Sequence, residues 1–395
     1  MLTRPTGRLL DLTRLVSRSG RVLTGVDRVE LAYAERLLSE PEPLWALVKT
    51  AYGFLLLDAT GVAVIAAASR SGDWGGPDLL SRLRPGLGRK RQAGQSLARA
   101  KAVARARPRN LSRMLASELP DGLVYLNLGH SNLDQHVMQA IKQGRNARIT
   151  CMIHDTIPLD FPEYQREGSV PEFADKLRVA GAFADLILTP TDASAADIRR
   201  HLGDDGPPVM SIHLGVEIEV RNKDQSEPSS DPYFAMLGTI EPRKNHGLLL
   251  DVWEDMGDEA PRLIILGRRG WRNEDVFARL DAGIVSVTER GDASDAEVRA
   301  LLAGAAGMVF PSFAEGFGLP PVEAAALGVP VIASDLPVLR EVLGPCAVYL
   351  NANDRYQWKK TIQAIAADPK AARQAVPEFD PPSWETHFKA ALNVT

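Results

Sequence analysis

From about Arg148 onward, short aliphatic and β-branched runs alternate with segments whose apolar residues recur at helical spacing. The runs Ile149–Ile153 and Leu186–Thr189 are typical of buried strands. The segment 192–200 predicts a helix whose N-terminal cap is Asp192. Such alternation is the pattern of βαβ units around a parallel sheet, so the first half of the chain is predicted to be doubly wound.

The second half repeats this alternation more regularly. Ser294 and Glu297 have the spacing of a capping box, which predicts a helix beginning there. A further helix is expected from Asn245, and another over Pro320–Leu327, where Gly328 ends it. Strands are expected at Tyr233–Leu237, Arg262–Leu266, Ile284–Thr288, Met308–Pro311 and Val329–Ala333. No repeat of solenoid period is visible, and two Rossmann-like domains facing across a cleft are the predicted fold.

Two apolar regions near the N-terminus lack the unbroken hydrophobic run of a targeting or membrane-spanning segment. Met1–Val22 alternates leucines with arginines, which predicts a strand rather than a secretory signal. Phe54–Ala68 is interrupted by Asp58 and Gly61 and is shorter than the ~20 residues that span a bilayer. We expect a pair of strands joined by a turn in this second region.

Composition sets the number of domains and the class of protein. A chain of 395 residues with 45% hydrophobic and 24% charged residues is long enough for two or three globular domains and has no disordered or fibrous character. Only Cys151 and Cys346 occur, which excludes a disulfide framework and offers no metal-ligand spacing. We expect both thiols to be reduced and buried in a cytoplasmic protein.

A polar stretch, residues 221–231, has the composition of an exposed linker. It predicts an N-terminal domain over residues 1–220 and a C-terminal domain over residues 221–376. The remaining residues, 377–395, predict a C-terminal helix on which Trp384 and Phe388 share one face. We expect this helix to dock on one of the two domains.

The strongest motif, residues 310–324, reads Phe-Pro-Ser-Phe-Ala-Glu-Gly-Phe-Gly-Leu-Pro-Pro-Val-Glu-Ala. A strand ends in a loop that contains Gly316 and Gly318, and a helix follows whose free N–H groups suit a diphosphate. Glu315 and Glu323 would then lie along one ligand, where carboxylates accept hydrogen bonds from a hexose and from a ribose. The simpler alternative is a turn whose glutamate favours the helix dipole.

A second motif, residues 237–246, again places a glycine and a polar turn after a strand. Its adjacent cations, Arg243 and Lys244, are suited to neutralise charge on a departing diphosphate without a metal ion. The alternative for such a pair, taken alone, is a solvated basic surface. Because both motifs place a glycine and charged residues between a strand and a helix, a solvated basic surface is the weaker alternative.

Together these motifs resemble the retaining, family 4 glycosyltransferases of GT-B fold, which carry a Pro-Arg-Lys turn and two glutamates separated by seven residues. The resemblance is close over Tyr233–Asn351 and looser before it. Further similarities are Thr24–Val29, Ile153–Asp155, His213–Val216 and Trp384. The resemblance implies a GT-B fold, a nucleotide-diphosphate sugar as the donor substrate, and neither a metal ion nor another cofactor.

The resemblance also implies roles for particular residues. Arg243 and Lys244 would bind the diphosphate, Glu315 the hydroxyls of the donor sugar, and Glu323 the ribose. His154, after a buried strand, would lie near the sugar, although a lone histidine in that place is more often structural. Further donor-binding groups are expected from Gly316, Phe317, Gly318, Gly25 and Arg290. The catalytic set is therefore Glu315, His154, Arg243 and Lys244.

The resemblance points to transfer of a hexose in cell-surface polysaccharide synthesis, with GDP-mannose as the preferred donor and a glycan or lipid-linked saccharide as the acceptor. UDP-glucose, UDP-GlcNAc and dTDP-rhamnose are alternative donors. The rival functions are a different GT-B enzyme, such as an epimerase or a phosphorylase, and a non-catalytic scaffold that binds sugar nucleotide. No Asp-x-Asp, Walker loop or complete GxGxxG occurs, which disfavours metal-dependent transferases, kinases and dehydrogenases.

The stretch Leu79–Ser117 contains eleven Lys or Arg residues and no Asp or Glu. Leucines at one end, Leu79, Leu80, Leu83 and Leu87, and Leu111, Met114 and Leu115 at the other, give it the composition of an interfacial helix pair. We therefore expect peripheral attachment to anionic lipid at the inner face of the plasma membrane. A solvated basic loop is a comparable alternative, and nucleic acid is not expected as a partner.

Overall fold

A computed structural model describes residues 4–82, 86–217 and 231–395. Outside these residues lie residues 221–230 of the predicted linker, the proposed domain boundary at residues 220 and 221, and Leu83 and Arg84 of the basic stretch. Strands of the described chain are β1 Arg8–Asp11, β2 Leu44–Thr50, β3 Gly53–Asp58, β4 Ala102–Ala106, β5 Val124–Asn127, β6 Arg148–Met152, β7 Leu186–Thr189, β8 Val209–Ser211, β9 Tyr233–Leu237, β10 Arg262–Leu266, β11 Val287–Arg290, β12 Gly307–Phe310, β13 Val331–Ser334 and β14 Ala347–Leu350.

Helices cover both faces of the sheets that these strands form. Their bounds are α1 Thr13–Ser17, α2 Gly25–Leu38, α3 Ala59–Ser71, α4 Leu79–Arg82, α5 Arg89–Ala100, α6 Leu111–Glu118, α7 Gln135–Arg145, α8 Ile157–Asp160, α9 Ser169–Phe183, α10 Asp192–Leu202, α11 His246–Met256, α12 Glu274–Ala282, α13 Asp295–Gly304, α14 Leu319–Ala326, α15 Pro337–Leu343, α16 Arg355–Ala367, α17 Pro369–Gln374 and α18 Trp384–Val394.

Two sheets organise the molecule. The first has the order β4-β3-β2-β1-β5-β6-β7-β8 and is parallel except at β3, which runs antiparallel to both neighbours. The second, β11-β10-β9-β12-β13-β14, is parallel throughout. Its central strands are continuous apolar runs because helices bury them on both faces. The predicted pair of Rossmann-like, doubly wound domains is confirmed, and each sheet reverses its strand order once.

Most predictions of helices and strands in the second half are confirmed. Ser294 and Glu297 form the predicted capping box at the start of α13. The strand expected at Ile284–Thr288 begins later, at Val287. In the first half, Thr191 rather than Asp192 caps α10, because its hydroxyl accepts the Ser194 N–H at 3.1 Å.

The predictions for the two N-terminal apolar regions are partly wrong. Residues 54–68 do not form a strand pair: β3 ends at Asp58, whose carboxylate accepts the Gly61 N–H at 2.9 Å and caps α3. An alanine-rich run after an N-cap favours a helix, so Gly61 belongs to its first turn and not to a hairpin. At the N-terminus, the described strand is confined to β1 and is followed by α1. Both cysteines are buried and no disulfide joins them, as expected.

The C-terminal helix α18 docks on the first domain, which confirms the prediction of docking. The Trp384 and Phe388 rings stack with centroids 5.4 Å apart, and Phe388 packs edge-on against Tyr33 of α2 at 4.9 Å. The buried Tyr33 hydroxyl is 2.8 Å from His387 Nε2. A Cβ atom added at Gly215 would lie 2.6 Å from the Trp384 Cα, so only glycine allows α18 to approach this closely.

We predict that Gly215→Ala lowers the free energy of unfolding by about 1–3 kcal/mol, because the added methyl group displaces α18 from its seat. Chemical denaturation measures the loss. The matched control is Gly247→Ala in α11, where an added Cβ meets no atom within 4 Å and stability should be unchanged or slightly raised. Equal unfolding midpoints for the two variants would contradict the assignment.

Candidate functional site

Both predicted motifs leave the second sheet at the point where its strand order reverses. The loop after β9 carries Arg243 and Lys244, and the loop after its neighbour β12 carries Glu315. In open α/β sheets the carboxyl ends of strands at such a switch point form the ligand-binding crevice. Residues 71 positions apart in sequence are thereby brought into direct contact.

The three charged residues form one buried cluster. Lys244 Nζ is 2.6 Å and Arg243 Nη1 2.8 Å from Glu315 Oε1. Arg243 also pairs with Glu241 at 2.6 Å through Nη2 and donates to the Ala314 carbonyl at 2.6 Å. The side chains of Glu315 and Lys244 are only 9% and 8% exposed, so these charges meet away from water.

Burial and the adjacent charges set the protonation states in this cluster. Burial alone would raise the pKa of Glu315, but Arg243 and Lys244 outweigh it and hold that pKa below its usual value. Burial lowers the pKa of Lys244, although Glu315 opposes this shift. Lys244 Nζ also lies 4.3 Å from the centroid of the Phe310 ring, a cation–π contact that favours its charged form. The carboxylate is therefore ionised at neutral pH.

The glycine loop after Glu315 lies against the first domain. A Cβ at Gly316 would be 2.6 Å from the His154 carbonyl oxygen and 3.0 Å from the Asp155 Cβ, so no larger residue fits there. Gly318 adopts a positive φ of 86° and precedes α14 directly. On the facing domain, a Cβ at Gly25 would lie 3.1 Å from Leu319, the first residue of α14. Gly316 of the second domain therefore lies against the first domain, and Gly25 of the first domain lies against α14 of the second.

His154 is buried after β6, and its Nε2–H donates to the Leu128 carbonyl at 2.8 Å. Sequence reasoning missed its counterpart, His130, whose Nε2–H donates to the Met152 carbonyl at 2.9 Å. The two rings lie 5.4 Å apart. Burial lowers the pKa of His154 to about 4 and that of His130 well below its usual value, so both rings are neutral at pH 7. The sequence signal that could have found His130 is its position just after a buried strand.

Glu323 lies in α14 and is paired across the cleft with Arg28 of α2, Nη1 to Oε1, at 2.9 Å. Arg28 also approaches Asp295 at 3.6 Å. Burial raises the pKa of Glu323 even though Arg28 opposes the shift. Arg28 was not singled out from the sequence, although it lies in the segment Thr24–Val29 that carried part of the family resemblance.

The structure does not bring Arg290 to the cluster. It ends β11, the edge strand two positions from β9, and pairs with Glu297 at 3.3 Å and Asp292 at 3.8 Å. Among the residues that the structure describes, no group of three His, Cys, Asp or Glu side chains is arranged to hold a metal ion. Within the same residues, no helix has the length and apolar character needed to cross a bilayer.

Residues 217–378 match the family of glycosyl transferases group 1. The match lies in the second half of the chain and covers about two fifths of its length. Over 264 residues it is 29% identical to the serotype-specific mannosyltransferase WbdA of Escherichia coli, a match covering 61% of this chain and 32% of WbdA. It is also 29% identical over 254 residues to the O-antigen chain mannosyltransferase RfbU of Salmonella typhimurium, covering 63% and 69% of the two chains. The match spans about a third of WbdA's length.

Two solved structures share the fold of this chain. Anabaena HepE in complex with UDP and glucose superposes with a TM-score of 0.62 at 15% identity, covering 98% of this chain and 99% of HepE. Staphylococcus aureus TarM gives 0.57 at 17% identity, covering 75% and 60%. The predicted GT-B fold is confirmed, and the charged cluster lies within the segment that matches the family.

We predict that Glu315→Gln lowers the free energy of unfolding by about 3 kcal/mol at pH 7, because two buried cations lose their shared carboxylate. The folded-state pKa of Glu315 is depressed, so its stabilisation is complete above the unfolded-state pKa of ~4.3 and is lost as pH falls through the folded value. Chemical denaturation at pH 7 and pH 3 measures this.

The control for this prediction is Glu385→Gln, which removes an exposed carboxylate from the first turn of α18. It should change stability little at either pH. A difference between wild type and Glu315→Gln that is equally large at pH 3 would show that the Glu315 carboxylate is not the stabilising form.

Proposed function

We propose that this protein is a retaining glycosyltransferase that moves a hexose from a nucleotide-diphosphate sugar to a glycan or lipid-linked acceptor in cell-surface polysaccharide synthesis. The observation that carries the proposal is the buried cluster of Glu315, Arg243 and Lys244 at the switch point of the second sheet. Its two cations lie on the loop after β9, and the N-terminus of α14 ends the neighbouring loop after β12, which suits a ligand carrying both phosphates and hydroxyls.

In this proposal the cations stabilise negative charge that develops on the leaving diphosphate, in a site that largely excludes water. Both cations bind Glu315 through Oε1, which leaves Oε2 to accept a hydroxyl of the donor sugar. Glu323 would accept the ribose hydroxyls, with Arg28 beside it. No metal ion is required, since the side chains and the helix end supply the positive charge.

His154 would contact the sugar from the first domain. Its Nε2–H is held by the Leu128 carbonyl, so Nδ1 carries the lone pair and accepts rather than donates a hydrogen bond. Its lowered pKa keeps this lone pair available throughout the neutral range. Retention is assigned to a front-face reaction in which the leaving phosphate assists deprotonation of the acceptor hydroxyl.

Mannose is the proposed sugar and GDP-mannose the donor. Three curated relatives that support this, WbdA, RfbU and the O-antigen chain mannosyltransferase B of E. coli, are mannosyltransferases. UDP-glucose is the principal alternative, because HepE, whose length matches this chain, was solved with UDP-glucose. We propose that the reaction takes place in the cytoplasm, where a lipid-linked acceptor would present its saccharide at the inner face of the plasma membrane.

We predict that the purified protein releases GDP from GDP-mannose with EDTA present and releases less nucleotide from UDP-glucose, UDP-GlcNAc and dTDP-rhamnose.

Glu315→Gln should lower turnover about 100-fold or more, because an amide cannot match a carboxylate in an electrostatic site. The alanine double variant at Arg243 and Lys244 should also weaken GDP binding, measured by calorimetry. Glu385→Gln is the control. If activity is lost in EDTA and restored only by manganese or magnesium, metal independence is wrong. If the protein binds a nucleotide sugar but does not turn it over, the scaffold alternative is favoured.

The basic stretch only partly fits its predicted form. It is not a helix pair, because β4 lies between α5 and α6, and Leu111, Met114 and Leu115 are buried in the core of the first domain. Leu79, in contrast, is 81% exposed. Among the described cations of the stretch, Arg99 alone forms an ion pair, with Asp78 at 2.9 Å. The other described cations of the stretch are exposed, and they support attachment to an anionic membrane surface.

We predict that the protein sediments with phosphatidylserine-containing vesicles at low salt and not with neutral ones, since each basic residue near such a surface contributes ~1 kcal/mol. Replacing Arg89, Lys90 and Arg91 by glutamate should abolish most of this binding.

The matched control for the vesicle experiment carries the same change of charge in the second half of the chain, at the exposed residues Lys360, Lys370 and Lys389. It should bind the vesicles like the wild type. Wild-type protein that stays in the supernatant with anionic vesicles at low salt would exclude membrane attachment.

A further inference from the structure

Glu341, in α15 of the second domain, finds its hydrogen-bond partners outside that domain. Its Oε1 accepts the backbone N–H of Asp192 at 2.7 Å, and its Oε2 accepts that of Ala193 at 3.1 Å. These are the first N–H groups of α10 in the first domain, which have no partner within their own helix. A carboxylate at a helix N-terminus is also favoured by the helix dipole.

The same carboxylate binds the segment that leads out of the first domain. His213, two residues after β8, donates from Nε2 to Glu341 Oε1 at 3.0 Å. The His213 ring lies edge-on to Phe317 of the glycine loop, with centroids 5.9 Å apart. The His213 carbonyl accepts Nδ1–H of His387 in α18 at 2.8 Å. One carboxylate thus joins the second domain, helix α10 and the connecting segment.

The first turn of α10 in turn holds the glycine loop. Thr191 Oγ1 donates to the Gly316 carbonyl at 3.2 Å, and Ser194 Oγ donates to the same oxygen at 3.3 Å. Both hydroxyl side chains are buried, at 0% and 4% exposure. The Gly316 carbonyl follows Glu315 directly, so its two hydroxyl donors fix the loop that orients the cluster carboxylate.

A neighbouring residue shows what a purely local contact on α15 looks like. Arg340 pairs with Asp335 and lies over the Tyr349 ring at 4.5 Å, and all three belong to the second domain. Glu341, next in sequence, has a side chain that is 20% exposed and turned toward the other domain. Its three hydrogen bonds therefore exist only while the two domains are in contact.

We propose that Glu341 is a positioning residue that couples contact between the domains to the geometry of the donor-sugar loop. It holds the N-terminus of α10 against the second domain, and the hydroxyls of Thr191 and Ser194 then hold Gly316. When the domains separate, the loop loses both of these hydrogen bonds at once. The role in sugar binding rests on the proposed function, whereas the coupling between the domains does not.

Two measurements test this in the full-length protein. Small-angle X-ray scattering of Glu341→Ala should give a larger radius of gyration than the wild type, because the contact is lost. Calorimetry should show GDP-mannose binding weakened about tenfold and GDP binding changed less than threefold, because the sugar loop is affected more than the diphosphate site. Glu341→Gln, which keeps an accepting oxygen without the charge, should give intermediate values for both.

Arg340→Ala is the control on the same helix and should match the wild type in scattering and in both affinities. An unchanged radius of gyration in Glu341→Ala would overturn the coupling. Equal losses of GDP and GDP-mannose affinity would overturn the role in positioning the sugar loop. If the wild type binds no nucleotide sugar, the proposed function fails, and the scattering comparison still decides whether Glu341 couples the domains.

Discussion

The site depends on the pairing of buried opposite charges at the carboxyl ends of β9 and β12. Removing Glu315, Arg243 and Lys244 from water is costly unless each charge is matched. The Glu315 oxygen that both cations share provides one partner, and Glu241, which also pairs with Arg243, provides the second. The same desolvation that makes the cluster costly to assemble strengthens every interaction it can make with a phosphate or a hydroxyl. Stability and proposed catalysis therefore draw on the same three side chains.

The first domain completes the site by contact across the cleft. Gly316 fits against the His154 carbonyl only because it lacks a side chain, and its own carbonyl accepts hydrogen bonds from two hydroxyls of the first domain. Arg28 reaches Glu323 from the same side. The glycine loop thus receives its cations from its own domain and its hydrogen-bond donors from the other, so its geometry depends on how the domains meet.

Neutral groups contribute on the facing domain. His130 donates to the Met152 carbonyl at the end of β6, and His154 donates to the Leu128 carbonyl just after β5, which fixes the orientation of both rings. Their lowered pKa values keep them uncharged beside a site that already contains two cations. Next to the cluster of Glu315, Arg243 and Lys244, the second domain supplies the positive charge and the first domain supplies two neutral rings.

The sequence by itself determined the α/β class, the two motifs and the cysteine state, because strand and helix periodicities, glycine loops and capping boxes are local properties. One failure was local: residues 54–68 have an apolar pattern that suits a hairpin or a helix, and the cap at Asp58, which favours the helix, was overlooked. The other failures occurred where tertiary context decides. The leucines near residue 111 suggested a membrane face, and packing placed them in the core. Glu341 escaped notice, since nothing local marks a residue whose partners lie in the other domain. His130 and Arg28 had local signals, but their partners were visible only in the structure.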